Sequence, residues 1–501
     1  MYSYSFKDFY FISPELFLTL SILFLLMFGL FLSNEISLND RNTNLFKTMS
    51  KLSLLALSYL LILLFAVEGN SFAFNYTFFV SDFTQCLKII MVVITMICIH
   101  VSTPYFIKIK VDSFEIFIIF LLSLLAGMVV VSSADFIIFY ISLETLSLTL
   151  YVLASMKPGN LYSIESALKY FLIGSFSSGI MLFGITIICG ITGVFSFPEL
   201  SLYFLTDSFL TNDPDNVNIL MSSFVLILVG FLFKLGVFPF HMWVPDVYEG
   251  IPVPVAFFFS TVPKTVIFAI LCKILKTFGV VFFSQAFQGI FLILGFSSLF
   301  FGAMYTYKAS KIKRLLAYSS IANMGYIFLA LGINGDKAFT TALFFLFTYL
   351  LVSVTVWTGL IVLATLYPGY ITELNQLEVL ENLDEGLSKY ITFSLFSLSG
   401  IPPLAGFFSK YLIYQNLIAS SQPLLAILVG ILSVYASFAY IRIIKTIHFD
   451  KIKVNPRLKK SRGNIPTSFY YLMGIFLVTN IIYFFVFNDI LFLIEYLSRS
   501  I

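Results

Sequence analysis

Charged residues are scarce in this chain of 501 residues, since only 11% are Asp, Glu, Lys or Arg and 59% are hydrophobic. A water-soluble domain carries about 25% charged residues. The composition therefore excludes an ordinary soluble domain and indicates that lipid is the solvent for much of the chain. The net charge of +3 is nearly balanced, and no basic segment interleaves with aromatic residues. A nucleic-acid-binding surface is therefore not expected.

Cysteine is also rare, and the four residues are Cys86, Cys98, Cys189 and Cys272. None form a C-x-x-C pair, and all lie in or beside apolar segments. An iron–sulfur cluster requires clustered thiolates, and a zinc site requires closely spaced ligands, so neither is expected in this chain. The sequence also lacks a glycine-rich dinucleotide-binding loop after a strand. An independent redox enzyme is therefore not expected.

Long apolar segments are what the chain has in abundance. A membrane-spanning helix needs about 20 predominantly apolar residues, and by that measure the sequence predicts an all-α polytopic membrane protein of about 14 transmembrane helices. The predicted spans are residues 13–33, 52–68, 86–105, 113–132, 135–155, 163–192, 218–240, 253–275, 281–304, 314–333, 338–366, 390–420, 423–443 and 467–496.

Lysine and arginine are distributed unevenly between the predicted loops. The loop after span 9 contains Lys308, Lys311 and Lys313, and the loop after span 13, between residues 442 and 462, is the most basic of all. Loops after even-numbered spans contain few basic residues. The positive-inside rule therefore predicts that the odd-numbered loops face the negative side of the membrane. Both termini are then expected on the positive side.

Two predicted spans are interrupted by glycine and proline. Span 7 reads Lys-Leu-Gly-Val-Phe-Pro-Phe over residues 234–240, and span 12 reads Ser-Gly-Ile-Pro-Pro over residues 399–403. Proline removes a backbone donor and clashes with the preceding turn, so both helices are expected to break. Broken helices at membrane depth occur where they are buried or line a cavity. Paired breaks, each near a lysine, indicate an internal repeat and point to a transport site.

Five ionisable side chains lie well inside the predicted spans, where each costs about 2.5–3.5 kcal/mol to insert. They are Glu144, Lys169, Lys234, Lys264 and Lys410. Residues of this kind mark ion and proton pathways, so we interpret them as candidate proton-transfer groups. A lysine near a helix end can instead extend its ammonium group to the lipid headgroups. We adopt that interpretation for Lys88, Lys273 and Lys276, and it fits Lys169 equally well.

His241 directly follows the first interruption. Histidine is the side chain whose ordinary pKa lies nearest to neutral pH, which suits a proton carrier. The alternative interpretation is an anchor at the membrane interface. His241 is therefore added to the candidate proton-transfer residues.

A row of buried lysines has an adequate energy scale for proton transport. Moving one charge against a potential of about 180 mV requires about 4 kcal/mol, which corresponds to about 3 pKa units. Changes of this size are known for buried groups. We therefore predict that Glu144, Lys234, Lys264 and Lys410 pass protons between two half-channels.

Three motifs resemble the signature of the antiporter-like subunits of respiratory complex I. They are residues 230–250, which include Lys234 and the sequence Phe-Pro-Phe-His-Met-Trp-Val-Pro-Asp, residues 314–321, Arg-Leu-Leu-Ala-Tyr-Ser-Ser-Ile, and residues 399–410, Ser-Gly-Ile-Pro-Pro-Leu-Ala-Gly-Phe-Phe-Ser-Lys. Their length and order make the resemblance specific, and it extends over essentially the whole chain. Residues 13–15 and 165–174 resemble the subunit 2 branch, and Lys410 argues against the subunit 4 branch, which usually has glutamate there.

The resemblance implies two inverted five-helix repeats, spans 4–8 and 9–13, in which helices 7 and 12 are broken. The implied regions are 1–112 for the first three helices, 113–280 and 281–445 for the two repeats, and 446–501 for a basic loop and helix 14. It also implies that Glu144 pairs with Lys234, that Lys264 connects the two halves and that Lys410 ends the route. Many relatives have histidine in place of Asn323, and Tyr318 with water is the expected substitute.

The implied function is that of a membrane-arm proton-translocating subunit of NADH:ubiquinone oxidoreductase. NADH, FMN, iron–sulfur clusters and ubiquinone would be bound by other subunits, and sister antiporter-like subunits and lipids would be partners. The implied location is the mitochondrial inner membrane, with both termini on the intermembrane-space side; a bacterial-type plasma membrane is the alternative. A subunit of a multisubunit cation/proton antiporter shares the fold and the lysines, and a purely structural membrane-arm spacer is a third possibility.

Overall fold

The computed structural model describes residues 6–34, 41–157, 159–205, 214–279, 285–333, 335, 337–369, 372–449 and 467–501. Its helices are α1 (Phe6–Phe11), α2 (Ser13–Asn34), α3 (Arg41–Ala66), α4 (Asp82–Lys108), α5 (Glu115–Ser132), α6 (Phe136–Ala154), α7 (Leu161–Thr192), α8 (Phe197–Leu205), α9 (Pro214–Leu235), α10 (Trp243–Gly250), α11 (Val253–Thr277), α12 (Gln285–Lys308), α13 (Ile312–Leu331), α14 (Lys337–Leu366), η1 (Leu374–Val379, a 3-10 helix), α15 (Leu380–Leu383), α16 (Glu385–Ser399), α17 (Ala405–Ala419), α18 (Pro423–His448), α19 (Thr467–Phe485) and α20 (Phe487–Arg499). Two short strands, β1 (Ser71–Ala73) and β2 (Phe78–Val80), form an antiparallel hairpin.

The helices confirm the prediction of a polytopic all-α membrane protein. Within the described part of the chain, 13 helices are long and apolar enough to cross a membrane. A further span is formed by α16 and α17 together, because each is only 15 residues long and they follow one another across the second break. The division into four regions and two inverted repeats stays a prediction.

Both predicted helix breaks are present, and each begins with a glycine. Helix α9 ends at Leu235, and Gly236 follows with φ of 70°; α16 ends at Ser399, and Gly400 follows with φ of 84°. Glycine adopts this left-handed conformation at no steric cost, which is why it commonly ends helices. The prolines that follow prevent the helix from resuming at once. The main chain is therefore irregular at two places inside the bundle.

Helix α11 lies at the centre of the bundle. An apolar segment of 18 residues in α11 is completely buried, whereas only 22% of the residues are buried in the equivalent segments of α2 and α19. Helix α11 packs against α4, α5 and α14. The equivalent segments of α13 and α14 are each 89% buried. Polar side chains on these three inner helices are consequently separated from lipid, and Lys264 of the candidate site lies on α11.

The last predicted span is wrong in its second half. Helix α19 ends at Phe485, and α20 is a separate helix. Its Ile494 and Leu497 are buried, whereas Phe492 on the opposite face is 75% exposed. The physical reason is the polar pair at 488–489, which ends the apolar segment. The helix that follows has one polar and one apolar face, and helices of this type lie along a membrane interface.

Candidate functional site

The first break positions Lys234 against helix α6. Lys234 lies in the last turn of α9, and its Nζ donates a hydrogen bond of 2.6 Å to Ser147 Oγ. Glu144 lies on the same face of α6 as Ser147, three residues earlier. Its Oε1 is buried and has no hydrogen-bond partner among the described residues. The Glu144 carboxylate is near enough to attract the Lys234 ammonium electrostatically, but Ser147, rather than Glu144, is in direct contact with it.

A cavity joins Lys234 to Lys264. Its volume is about 30 Å³, and its lining includes Ser147, Lys234, Lys264 and Tyr248. A buried water needs about 10–15 Å³ of such space and two or more polar partners. The cavity therefore has room for about two waters between the two ammonium groups, and it connects the first broken helix with the central helix.

Lys264 is held inside the bundle by α14. Its side chain is 4% exposed, its Nζ lies 3.4 Å from the hydroxyl of Tyr349, and that hydroxyl donates a bond of 2.9 Å to the Ser260 carbonyl. Pro263 stands just before Lys264 inside α11 and lines the cavity, as does Phe259. Because Pro263 has no N–H, the Phe259 carbonyl lacks its usual intrahelical donor and remains available to accept from water.

The second break positions Lys410 in a similar manner. Its Nζ donates to the carbonyls of Ser399 at 2.8 Å and Leu398 at 3.3 Å, which are the last carbonyls of α16. A helix C-terminus carries partial negative charge and stabilises a cation. The Nζ also lies 5.7 Å from the ring centroid of Tyr326. Lys410 is partly buried, and the neighbouring Ile401 is 38% exposed, so this end of the row is close to the outside of the subunit.

Gly400 leaves the space that the Lys410 side chain occupies. A Cβ at position 400 would lie 3.0 Å from Lys410 Cδ and 3.1 Å from Lys410 Nζ, and the φ of Gly400 is +84°. Gly400→Ala is therefore expected to lower stability by about 1–2 kcal/mol, because a non-glycine residue is strained there. It is also expected to displace Lys410 from the α16 carbonyls and to lower proton transport, measured as protons moved per NADH oxidised in proteoliposomes.

The matched control for this substitution is Gly369→Ala. Gly369 has φ of +76°, but a Cβ there would meet nothing within 4 Å. Both variants are expected to unfold at a lower temperature, whereas only Gly400→Ala should reduce proton transport. Equal transport in the two variants would contradict a role for the Lys410 position.

Lys169 lies apart from the row of Lys234, Lys264 and Lys410. Its side chain is 45% exposed and forms ion pairs with Glu165 at 2.7 Å and Asp246 at 3.4 Å. Exposed pairs of this kind contribute about 0–1 kcal/mol to stability. Lys169 lies about two turns into α7, and its exposed, ion-paired side chain is separate from the cavity, so its part in proton transfer stays a prediction.

His241 is buried but lies to one side of the cavity. Its side chain is 3% exposed, and its ring packs beside Phe238 and Phe301, with centroids 5.6 Å and 6.0 Å away. It is not among the residues that line the cavity. The alternative interpretation as an interfacial anchor is wrong, because the ring is enclosed by aromatic side chains rather than exposed at a surface.

Lys88 does not extend to the headgroups, and the prediction for it is wrong. Its side chain is completely buried and forms an ion pair of 2.5 Å with Glu15, which is 3% exposed. The Phe78 ring of the β hairpin lies 5.2 Å from the Lys88 Nζ. The hairpin covers this end of α4 and separates Lys88 from the outside, which the sequence did not indicate.

Lys273 and Lys276 are likewise held by protein rather than extended into the headgroups. Lys273 is 6% exposed, and its Nζ donates to the Val131 carbonyl near the end of α5 at 2.5 Å. Lys276 donates to the Ser498 carbonyl of α20 at 2.8 Å. Both side chains satisfy carbonyls at helix ends, which is a favourable position for a cation.

The sequence analysis missed Ser147, Tyr248 and Tyr349 as residues of the site. The signal for Ser147 was its position three residues after Glu144, which puts both on one helix face. The tyrosines carried no comparable signal, because Tyr is abundant in this chain, with 28 residues. Their contribution depends on which helices pack against α11, and this is a property of the folded bundle.

Known proteins resemble this chain in both sequence and fold. Residues 133–436 match the family described as NADH:quinone oxidoreductase/Mrp antiporter, TM. NADH-quinone oxidoreductase subunit N of Pelagibacter ubique is 36% identical over 444 residues, covering 88% of this chain and 90% of the relative. NADH-ubiquinone oxidoreductase chain 2 of Marchantia polymorpha is 34% identical over 449 residues, covering 89% and 90%. A chain of respiratory complex I from Thermus thermophilus with bound aureothin has a similar fold, with a TM-score of 0.75, 24% identity and coverage of 95% and 98%.

Proposed function

We propose that this chain is a proton-translocating subunit in the membrane arm of an NADH:ubiquinone oxidoreductase. The chain belongs to the NADH:quinone oxidoreductase/Mrp antiporter family, and subunit N and chain 2 are its relatives over most of its length. The observation that carries the proposal is the water-sized cavity between Lys234 and Lys264. A cation/proton antiporter subunit is not favoured, because these relatives are subunits of NADH–quinone oxidoreductases.

In the proposed mechanism, the charge state of Lys234 is set by its neighbours. Ser147 accepts a hydrogen bond from the ammonium group, and Glu144 stabilises the charge without contacting it. Removal of that stabilisation would favour release of the proton from Lys234 Nζ. Water in the cavity would carry the proton to Lys264, and Lys410 would be the last site before exit. Each proton moved against the membrane potential costs about 2.3 kcal/mol per 100 mV, which quinone chemistry elsewhere would supply.

Redox chemistry belongs, in this proposal, to other subunits. They would bind NADH, FMN, the iron–sulfur clusters and ubiquinone, while this chain moves protons. Sister antiporter-like subunits would contact its outer helices, and lipid would cover the rest. We propose the mitochondrial inner membrane as the location. Because the odd-numbered loops are basic, both termini would then lie on the intermembrane-space side. A bacterial-type plasma membrane is the alternative location.

Assembly with NADH-oxidising subunits tests the proposal. In a native gel of mildly solubilised membranes stained for NADH oxidation, peptides of this chain are expected in the large active band by mass spectrometry. An unrelated multi-pass protein of the same membrane, absent from that band, serves as the control. If the chain occurs only in a smaller assembly without NADH activity, the proposal is wrong and the antiporter alternative is favoured.

A further inference from the structure

The interval between Lys264 and Lys410 is crossed by a polar face of α13. Ser319, Asn323 and Tyr326 stand four and three residues apart, so their side chains lie on one side of the helix. All three are buried, with exposed fractions of 2%, 8% and 2%. None of them exchanges a proton readily near neutral pH. A proton that travels from Lys264 to Lys410 must therefore cross this interval without a histidine or an acid on that face.

Tyr318 does not fill the gap, contrary to expectation. Its ring stacks on Tyr305 with centroids 5.2 Å apart, and its hydroxyl interacts with Arg314. These partners lie near the start of α13, on the side of the basic loop after α12. The expected substitution of Tyr318 for a histidine at position 323 is therefore wrong.

Other hydroxyl groups occupy the interval instead. From Lys264, the first is the Tyr349 hydroxyl at 3.4 Å. That hydroxyl donates to the Ser260 carbonyl, so bridging water is needed beyond it. Farther along the interval, the hydroxyl of Tyr440 on α18 forms a hydrogen bond of 2.5 Å with Ser319 on α13. Tyr326 lies about two turns farther along the same face of α13 as Ser319. These groups come from three different helices, and α14, which carries Tyr349, packs against α13.

The far end of this interval has hydroxyl groups with unfilled hydrogen-bonding capacity. The hydroxyls of Tyr326 and Tyr414 are buried and, among the described residues, have no hydrogen-bond partner of ordinary geometry. They nevertheless lie close to one another and to Ser433. An unsatisfied buried hydroxyl costs about 1–3 kcal/mol, and water is the usual partner at such sites. This cluster adjoins Lys410, whose Nζ lies 5.7 Å from the Tyr326 ring centroid.

We propose that the hydroxyl groups of Tyr349, Tyr440, Ser319 and Tyr326, with bridging water, relay the proton from Lys264 to Lys410. The relay rests on the proposed function of the row. An N–H bond of the Lys264 ammonium breaks as its proton passes to the nearest oxygen. Each oxygen accepts one proton while passing on its own, and an N–H bond forms on the neutral amine of Lys410. Every hydroxyl is neutral before and after the transfer, and its rotation restores the starting arrangement.

The relay is tested in the assembled complex with Tyr440→Phe, which removes one hydroxyl and retains the ring. Protons moved per NADH oxidised in proteoliposomes are expected to fall to the level of Lys234→Met, because the row is interrupted in both. The matched control is Tyr390→Phe. Tyr390 is 1% exposed and its hydroxyl bonds Thr358 at 2.9 Å, away from the row. Its loss should leave the ratio unchanged.

A solvent isotope effect separates proton relay from a structural role. If proton transfer limits the residual transport of Tyr440→Phe, D₂O should slow this variant more than it slows the unmodified complex. If the variant is merely misfolded, its rates in H₂O and in D₂O should be lowered by the same factor. Should water replace the one missing hydroxyl, the double variant Tyr349→Phe/Tyr440→Phe must still lose transport. Normal transport in the double variant, with transport lost in Lys234→Met, overturns the relay alone. Normal transport in Lys234→Met overturns the proposed function.

Discussion

Lys234→Met is expected to remove this subunit's share of proton translocation while the complex still assembles and oxidises NADH. Methionine has a similar length and no charge, so it fills the space beside Ser147 but can neither carry a proton nor respond to Glu144. Positioned proton-transfer groups contribute about 10²–10⁴-fold to the rates they serve, and a loss of that size amounts to closure of the route. The measurement is the NADH-driven pH gradient across proteoliposomes, expressed as protons per NADH.

Lys389→Met is the control for this substitution. Lys389 is 62% exposed and pairs with Glu385 one turn away on the surface of α16. The Lys389→Met variant loses the same charge and gains the same side chain as Lys234→Met, but at a position outside the row. An unchanged proton-to-electron ratio is expected for Lys389→Met. If Lys234→Met shows the same unchanged ratio in a fully assembled complex, the row does not conduct protons.

Lys88→Met is expected to cause the largest loss of stability. The ion pair between Lys88 and Glu15 is completely buried and joins α4 to α2. Removing one partner of a buried pair leaves the other charge uncompensated and typically costs about 3–5 kcal/mol. The variant should therefore dissociate or aggregate at a markedly lower temperature, which is measurable by thermal unfolding of the purified complex and by its yield on a native gel.

A double variant distinguishes loss of charge balance from loss of packing. In Glu15→Gln/Lys88→Met no ionised group remains at the pair, so much of the lost stability should return. The exposed pair of Glu385 and Lys389 serves as the reference, because such i,i+4 pairs contribute about 0.2–0.5 kcal/mol. If Lys88→Met costs no more than Lys389→Met, the buried pair does not hold the first helices in place.

The sequence predicted the parts of this molecule that depend on local chemistry. Apolar segments of about the length needed to cross the bilayer identified the spans, and the glycine–proline clusters at 236–239 and 400–403 identified the breaks, because both effects act on neighbouring residues. The high cost of a buried charge identified Lys234 and Lys264. These two residues were therefore identifiable before the fold was known, whereas the cavity that both of them line was not, and their role in proton transfer stays a prediction.

Contacts between distant segments were not accessible in this way. Glu15 and Lys88 are far apart in the chain, and only the packing of α2 on α4 under the hairpin makes them a pair. The direct partner of Lys234 is Ser147 rather than Glu144, a difference of one helical turn on α6. Such choices depend on side-chain rotamers and helix separations, and the energy differences involved are smaller than a sequence pattern can report.

The small size of the cavity between Lys234 and Lys264 also bears on how a coupled membrane avoids leaking. A chain of about two waters is broken when either water leaves, and the release of an ordered water returns up to about 2 kcal/mol of immobilisation entropy. Its walls include the large side chains of Tyr248 and Phe259, and loss of water from between them would interrupt the passage. On the proposed function, a resting subunit would insulate the two sides of the cavity by dehydration alone, without moving a helix, and would conduct again once the space is refilled.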